Sequence, residues 1–228
     1  MAKNHIQRVA APRSWKIERK NSKFITKPNP GSHSLRYGMA VNTVIKEILK
    51  VADTTKEVKY LLNNKEIIVN GKPIHDVHYC VGLMDILSIP KLNSSYRVVI
   101  NKRGRLGFIS VSDNDTRVLR VDGKYTANGG KRMLTLSNGA NYHVDKVCAI
   151  GDSVLIKGNK IEKVIPLKEG AYITLIAGSH IGASGNISKI YEEGNTTKIE
   201  IESPNGKLVT LKEFAYVVGD KKPEIQIA

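Results

Sequence analysis

The residues best equipped for chemistry are cations interleaved with rings. Lys3, Arg8, Arg13, Lys16, Arg19, Lys20, Lys23, Lys27 and Arg36 share the first 40 residues with one acid, Glu18, for a net charge of +8. Trp15, Phe24 and Tyr37 punctuate them. Clustered Lys and Arg neutralise phosphates, and aromatic faces accept stacked bases. The net charge is +2 over residues 41–100, +6 over 101–170 and −1 over 171–228. The second excess includes Lys102, Arg103, Arg105, Lys131 and Arg132. A charge serving solubility alone would be spread evenly, whereas a concentrated one makes a local field that attracts a polyanion. An anionic membrane surface would call for an amphipathic helix with a bulky apolar face. Pro12, Pro28, Pro30 and Gly31 break the basic segment too often for one.

Enzymatic and metal chemistry find poorer footing. His75-x-x-His78-x-Cys80 has the residue types of a metal trio, but on a strand residues 78 and 80 share a face that 75 does not. Asp113-Asn114-Asp115 starts like a calcium loop and lacks its glycine and terminal glutamate. Gly129-Gly130-Lys131-Arg132 departs from a phosphate-binding loop, because Tyr125 stands at the first glycine and Arg132 at the Ser/Thr. Gly178, Gly182 and Gly185 are wrongly spaced for dinucleotide binding. No catalytic residue, metal ligand, cofactor or small-molecule substrate is nominated.

The whole chain has 228 residues, 36 Lys and Arg against 21 acids, and a formal charge of +15. Its 41% hydrophobic content suffices for real cores, so the chain is not disordered throughout. No run approaches 18 apolar residues, and the start has no apolar signal-peptide region. Two cysteines, Cys80 and Cys148, are too few for a disulfide framework, which points to a reducing, cytoplasmic setting.

The elements that must position the cations can be read from spacing. Residues 1–40 read as an extended basic arm that orders on a partner, so deleting it should leave a folded body. Val41, Val44, Ile45, Ile48 and Leu49 make the stripe of an amphipathic helix over 41–52. Thr54 and Glu57 have capping-box spacing for a second helix through about Asn63, with Val58, Leu61 and Leu62 inward. Ile67–Val69, Asn70-Gly71 and Lys72–Ile74 read as a hairpin. Val77, Tyr79 and Val81 alternate as in a half-buried strand. Segments such as YRVVI, LGFISV, RVLRV, RMLTLS, NYHVD and SVLIK then predict a β-rich domain over 96–169. Strands continue through 170–219, and 220–228 is a polar tail.

The unit at 41–89 resembles the αL RNA-binding motif of ribosomal proteins, tRNA synthetases and pseudouridine synthases. Thr54-Thr55-Lys56-Glu57-Val58-Lys59 and Val69-Asn70-Gly71-Lys72 carry the resemblance. It implies that Thr54, Thr55, Lys56, Lys59 and Lys72 grip a bent RNA backbone, beside a helix amino terminus that suits a phosphate. Lysines stand where that family often has arginines, which favours point-charge contacts over planar base reading. Gly170 through Gly178, with Gly182, Gly185, Ile187 and Ile190, resembles a KOW motif of small SH3-like barrels. Ala171 replaces a frequent Asp and Ile181 a frequent lysine.

His5-x-x-Arg8-Val9-Ala10-Ala11-Pro12-x-x-Trp15-x-Ile17-x-Arg19 resembles the signature of the archaeal and eukaryotic e-type small-subunit ribosomal protein four family. Gln7 stands where a lysine is common. Gly71-Lys72, Gly82-x-Met84-Asp85 and Lys102-x-Gly104-Arg105 extend the likeness. The expected fold is α+β: arm over 1–40, αL module over 41–95 (two helices plus a β-hairpin), central β domain over 96–169, KOW barrel over 170–219. The resemblance implies a structural constituent of the small ribosomal subunit, cytoplasmic and of archaeal source. Its partners would be ribosomal RNA, bound mainly through backbone phosphates, and neighbouring ribosomal proteins. The rival readings are a free-standing RNA-binding regulator or elongation factor, and an RNA-modifying enzyme.

Overall fold

The computed structural model describes residues 5–113, 115–127, 129–144, 148–158, 160–194, 196–204 and 206–227. It is β-rich, with two short α-helices. Two compact units divide the chain: Met1–Val99 with Arg105–Asp115, and Ile100–Gly104 with Thr116–Ala228. Among the described residues no helix is long and apolar enough to cross a membrane.

The first unit corrects the expectation of an extended arm. Strand β1 (His5–Gln7) pairs antiparallel with β2 (Phe24–Thr26), with Ile6 opposite Ile25. Trp15 is 2% exposed, and its Nε1 donates to the carbonyls of Leu35 and Gly38, both at 3.1 Å. β3 (Gly38–Ala40) is buried throughout. Prolines forbid a helix here but not a looped return. The large apolar area of one indole and Ile25 gives that return something to bury.

The stripe over 41–52 forms one turn of helix, α1 (Val41–Thr43), running into a π-turn at Val44–Ile48. Val41, Val44 and Ile45 are fully buried, while Ile48 and Leu49 are only partly so. Helix α2 (Thr55–Asn63) opens on the expected capping box. Thr54 Oγ1 accepts from Glu57 N at 3.3 Å, and Glu57 Oε2 accepts from Asp53 N at 2.9 Å and from Thr54 N at 3.4 Å. Val58 and Leu62 face inward. Thr54→Ala is therefore expected to lower stability by about 1 kcal/mol. An unchanged urea midpoint would show that the cap adds nothing.

The hairpin of β4 (Ile68–Val69) and β5 (Lys72–Pro73) turns on Asn70 and Gly71. Their φ values of 53° and 78° are those a two-residue type I′ turn requires. The alternating strand expected at 77–81 is shorter: only β6 (Cys80–Gly82) forms, all three residues buried, pairing with β3. Asp76 diverts the preceding residues into a turn, its Oδ1 accepting from His78 N at 2.8 Å. β4, β5, β7 (Ile86–Ile89), β8 (Ser94–Ile100) and β9 (Leu106–Ser110) make a five-stranded sheet in the order β5-β4-β7-β8-β9. The boundary expected at 95/96 falls inside β8. Asp85, 1% exposed, ties this unit together. It accepts from Gly82 N at 2.9 Å and Asn70 Nδ2 at 2.7 Å, and lies 2.8 Å from His33 Nε2.

The second unit holds two five-stranded sheets. One has the order β12-β11-β10-β13-β14, from β10 (Thr116–Thr126), β11 (Arg132–Leu136), β12 (Asn141–His143), β13 (Ser153–Lys157) and β14 (Lys160–Ile165). The other has the order β18-β17-β16-β15-β19, from β15 (Tyr172–Leu175), β16 (Ser184–Glu193), β17 (Thr196–Ser203), β18 (Gly206–Leu211) and β19 (Ala215–Gly219). Alternate residues Ile173, Leu175, Ile199, Ile201, Ala215 and Val217 form its core. Gly182, at φ 75°, lies so close to Asn101 that an added Cβ would meet that carbonyl oxygen at 2.3 Å. Tyr216 joins the sheets, its hydroxyl donating to Val118 O at 2.9 Å. Burial pushes that phenol up to about 12.

Candidate nucleic-acid interface

Two of the nominated arm residues, Arg8 and Trp15, are built into the interior, and a third, Arg19, is tied to backbone. Arg8 is 4% exposed. Its Nη1 and Nη2 donate to Glu47 Oε2 and Oε1, each at 2.7 Å, and further bonds reach Ser22 O, Ser22 Oγ and Glu18 O. The Glu47 carboxylate holds the guanidinium above its ordinary range. Arg19 donates to the carbonyls of Val9, Ala11 and Pro12 at 3.1, 3.0 and 2.9 Å. In this structure Trp15 is sealed in the interior, Arg8 is paired with Glu47, and the Arg19 guanidinium is engaged with backbone. A buried guanidinium must be paired, and a folded loop full of carbonyls supplies the partners.

The remaining arm cations point outward. Arg13, Lys16, Lys20, Lys23, Lys27 and Arg36 are exposed. Among the described residues no carboxylate lies within ion-pair distance of them. Lys3 lies outside the described residues. Lys23 Nζ sits 5.4 Å from the Phe24 ring centre, and Arg36 5.5 Å from that of Tyr37. His5 meets Phe24 edge-on at 4.7 Å, and Phe24 is 45% exposed. The β1–β2 ribbon therefore carries an exposed ring among free charges, the arrangement that binds a phosphate chain and stacks a base.

On α2, Lys56 and Lys59 are exposed on the surface that buried Val58 and Leu62 leave to solvent. Tyr60, 65% exposed, completes that face and was missed, although its spacing four residues from Lys56 announces it. Lys72 is exposed on the hairpin. Thr54 and Thr55 do not leave an open anion site at the helix start. The chain's own Glu57 occupies it, its carboxyl held below the usual range by bonds from Asp53 N first and then Thr54. Lys102, Arg103, Arg105, Lys131 and Arg132 are exposed. Across the β10–β11 hairpin Thr126 pairs with Arg132, next to Tyr125 at 45% exposure, a second ring that was missed.

Two members of the trio considered for a metal, His78 and Cys80, have other occupations. His78 Nδ1 bonds Lys27 O at 2.9 Å. Burial, and then the Asp85 charge, push the Cys80 thiol up to about 12, so it stays protonated and unreactive near neutrality.

Comparison with known proteins closes the question of kinship. A family model described as the RS4NT domain matches residues 2–36, and one described as ribosomal family S4e matches residues 92–163. The chain is 35% identical to the small ribosomal subunit protein eS4 of Methanocella arvoryzae, over 99% of this chain and 98% of that protein. The chain belongs to the S4e family. Other members are the eS4 proteins of Methanosphaera stadtmanae, 33% identical over 99% and 96% of the two chains, and of Archaeoglobus fulgidus, 32% identical over 100% and 99%. A solved S4e structure, the 30S ribosomal protein of Thermoplasma acidophilum, superposes with a TM-score of 0.69 at 27% identity. It covers 81% of this chain and 96% of that one. The RS4NT match spans the stretch in which Arg8 and Trp15 are internal and Arg19 is bonded to backbone carbonyls, so part of that S4e segment specifies a folded loop here.

Proposed function

We propose that this S4e chain is a structural constituent of the small ribosomal subunit, held on ribosomal RNA mainly through backbone phosphates. It works in the cytoplasm and lies beside other ribosomal proteins. The observation that carries the reading is end-to-end similarity to proteins named for that subunit, in a chain where Arg13, Lys16, Lys20, Lys23, Lys27 and Arg36 stand exposed. The reading assigns no catalysis, metal or cofactor.

Within it, residues 41–95 act as an αL module. The capped α2 and the Asn70-Gly71 hairpin support this, with Lys56, Lys59 and Lys72 as phosphate contacts. Lys102, Arg103, Arg105, Lys131 and Arg132 add contacts from the β-rich part. Residues 170–219 act as a KOW barrel, supported by a five-stranded antiparallel sheet around an apolar core and by the tight approach at Gly182. Native lysate of the source cells, sedimented at low salt, should place the protein in small subunits at one copy per particle. A substoichiometric association with a large free pool would favour a separate regulator and sink the proposal.

A further inference from the structure

The β10–β11 hairpin carries a ring that the core does not use. Tyr125 stands opposite Met133 across β10 and β11, and Met133 opposite His143 across β11 and β12. Directly opposite residues share a face, so these three side chains make one row across three strands. Leu134, next to Met133 in sequence, is 4% exposed and marks the other face as the one turned to the core. On the outward row Tyr125 is 45% exposed, Met133 half-buried and His143 exposed. The same-side neighbours of Tyr125 along its own chain are Gly123 and Ala127, which set at most one methyl beside the ring. An added Cβ at Gly123 would meet nothing nearer than Thr135, at 3.7 Å, so there is room at the ring's flank.

The surroundings state what the ring would meet. From Gly123 to Val144 the sequence holds Lys124, Lys131 and Arg132 and no acid. All three cations are exposed. Lys131 comes two residues before Met133 and on its side of the sheet, where Ala127 N donates to Lys131 O at 2.8 Å and continues the pairing. Of the flanking acids, Asp122 accepts from Arg120 Nε at 2.7 Å, and Asp145 lies outside the described residues. The next row of the face is polar, Thr135 bonded to Asn141 at 3.0 Å, so the apolar strip is narrow. A stable protein partner needs a broad surface, whereas a base needs one ring and its phosphate one cation nearby. We propose that the outward face of β10–β11–β12 takes one unpaired nucleotide of RNA, its base stacked on Tyr125 beside Met133 and its phosphate on Lys131. Every base has a flat face, so the platform has no base preference. The inference rests on the RNA-binding reading and adds a stacked base to contacts otherwise made through phosphates.

Tyr125→Trp in the full chain tests it, read by indole emission excited beyond the absorbance of RNA. Trp15, 2% exposed, supplies a constant background. Saturating small-subunit ribosomal RNA should quench most of the added emission and change the wild-type signal little. Inorganic polyphosphate, a polyanion without bases, should bind and leave the added emission as it was. Tyr125→Ala should weaken RNA binding about tenfold without changing its salt slope, and Tyr125→Phe should keep the wild-type affinity. Added emission that RNA leaves unchanged, or a Tyr125→Ala variant as tight as wild type, would overturn the inference. Steep salt dependence in the same titrations would leave the ribosomal reading standing. Emission that responds to other small-subunit proteins and not to RNA would make this face a protein contact and overturn the inference too. Indifference of the wild-type chain to every RNA would overturn both.

Discussion

Trp15→Ala is expected to destabilise the first unit by about 3–5 kcal/mol, the range for truncating a large buried aromatic. The indole is 2% exposed and its N–H is shared between two carbonyls, so the substitution leaves a cavity and two weakened acceptors. Arg8→Met should cost about 3 kcal/mol, the low end for breaking a buried pair, because Glu47 keeps 23% of its side-chain surface in water. Deleting residues 1–40 goes further. It removes Trp15, Ile25, Met39 and Ala40 from the core, and β3 from its pairing with β6. The expected result is a first unit that no longer folds cooperatively. Hydrogen exchange at Cys80–Gly82 reads this directly, since those amides lose their partner strand. A truncated chain with full protection there, and an unchanged melting midpoint, would return the segment to the status of an appendage.

The same segment shows where sequence reasoning stopped. Periodicity and capping are local properties, so α2 with its Thr54–Glu57 box and the Asn70-Gly71 turn could be read from a few neighbouring residues. The strands from Ser94 onward were legible because Gly and Asn turns separate short runs of β-branched and aliphatic residues. Arg8 and Glu47 are 39 positions apart, and nothing local to either says that they meet. Prolines and cations made residues 1–40 look solvated, while the deciding facts were one indole and one distant carboxylate. The exposed faces fared better. Lys16, Lys23, Lys56 and Lys72 lie outward as a cation should. The apolar stripe over 41–52 hid the π-turn at Val44–Ile48, where five residues share helical spacing but a wider hydrogen-bond ring.

Binding to small-subunit RNA should depend steeply on salt, and the structure says which cations set the slope. Arg13, Lys16, Lys20, Lys23, Lys27 and Arg36 are exposed. Each contact with one phosphate releases counterions and adds roughly 0.7–0.9 to the slope of log affinity against log salt. If all six make contact, changing them together to glutamine should flatten the slope by about 4–5. The same contacts correspond to a loss of about a thousandfold in wild-type affinity between 50 and 200 mM salt. The interior cations provide the control. Arg8→Met combined with Glu47→Leu removes a charge pair that faces no solvent-borne partner, and replacing a buried pair by apolar groups is often close to neutral for stability. That double variant should keep the wild-type slope, although its sequence has lost one of the nine arm cations. A slope that fell equally in both variants would mean that Arg8 leaves Glu47 on binding and reaches a phosphate. A slope unchanged by the sixfold substitution would place the RNA on some other face of the molecule.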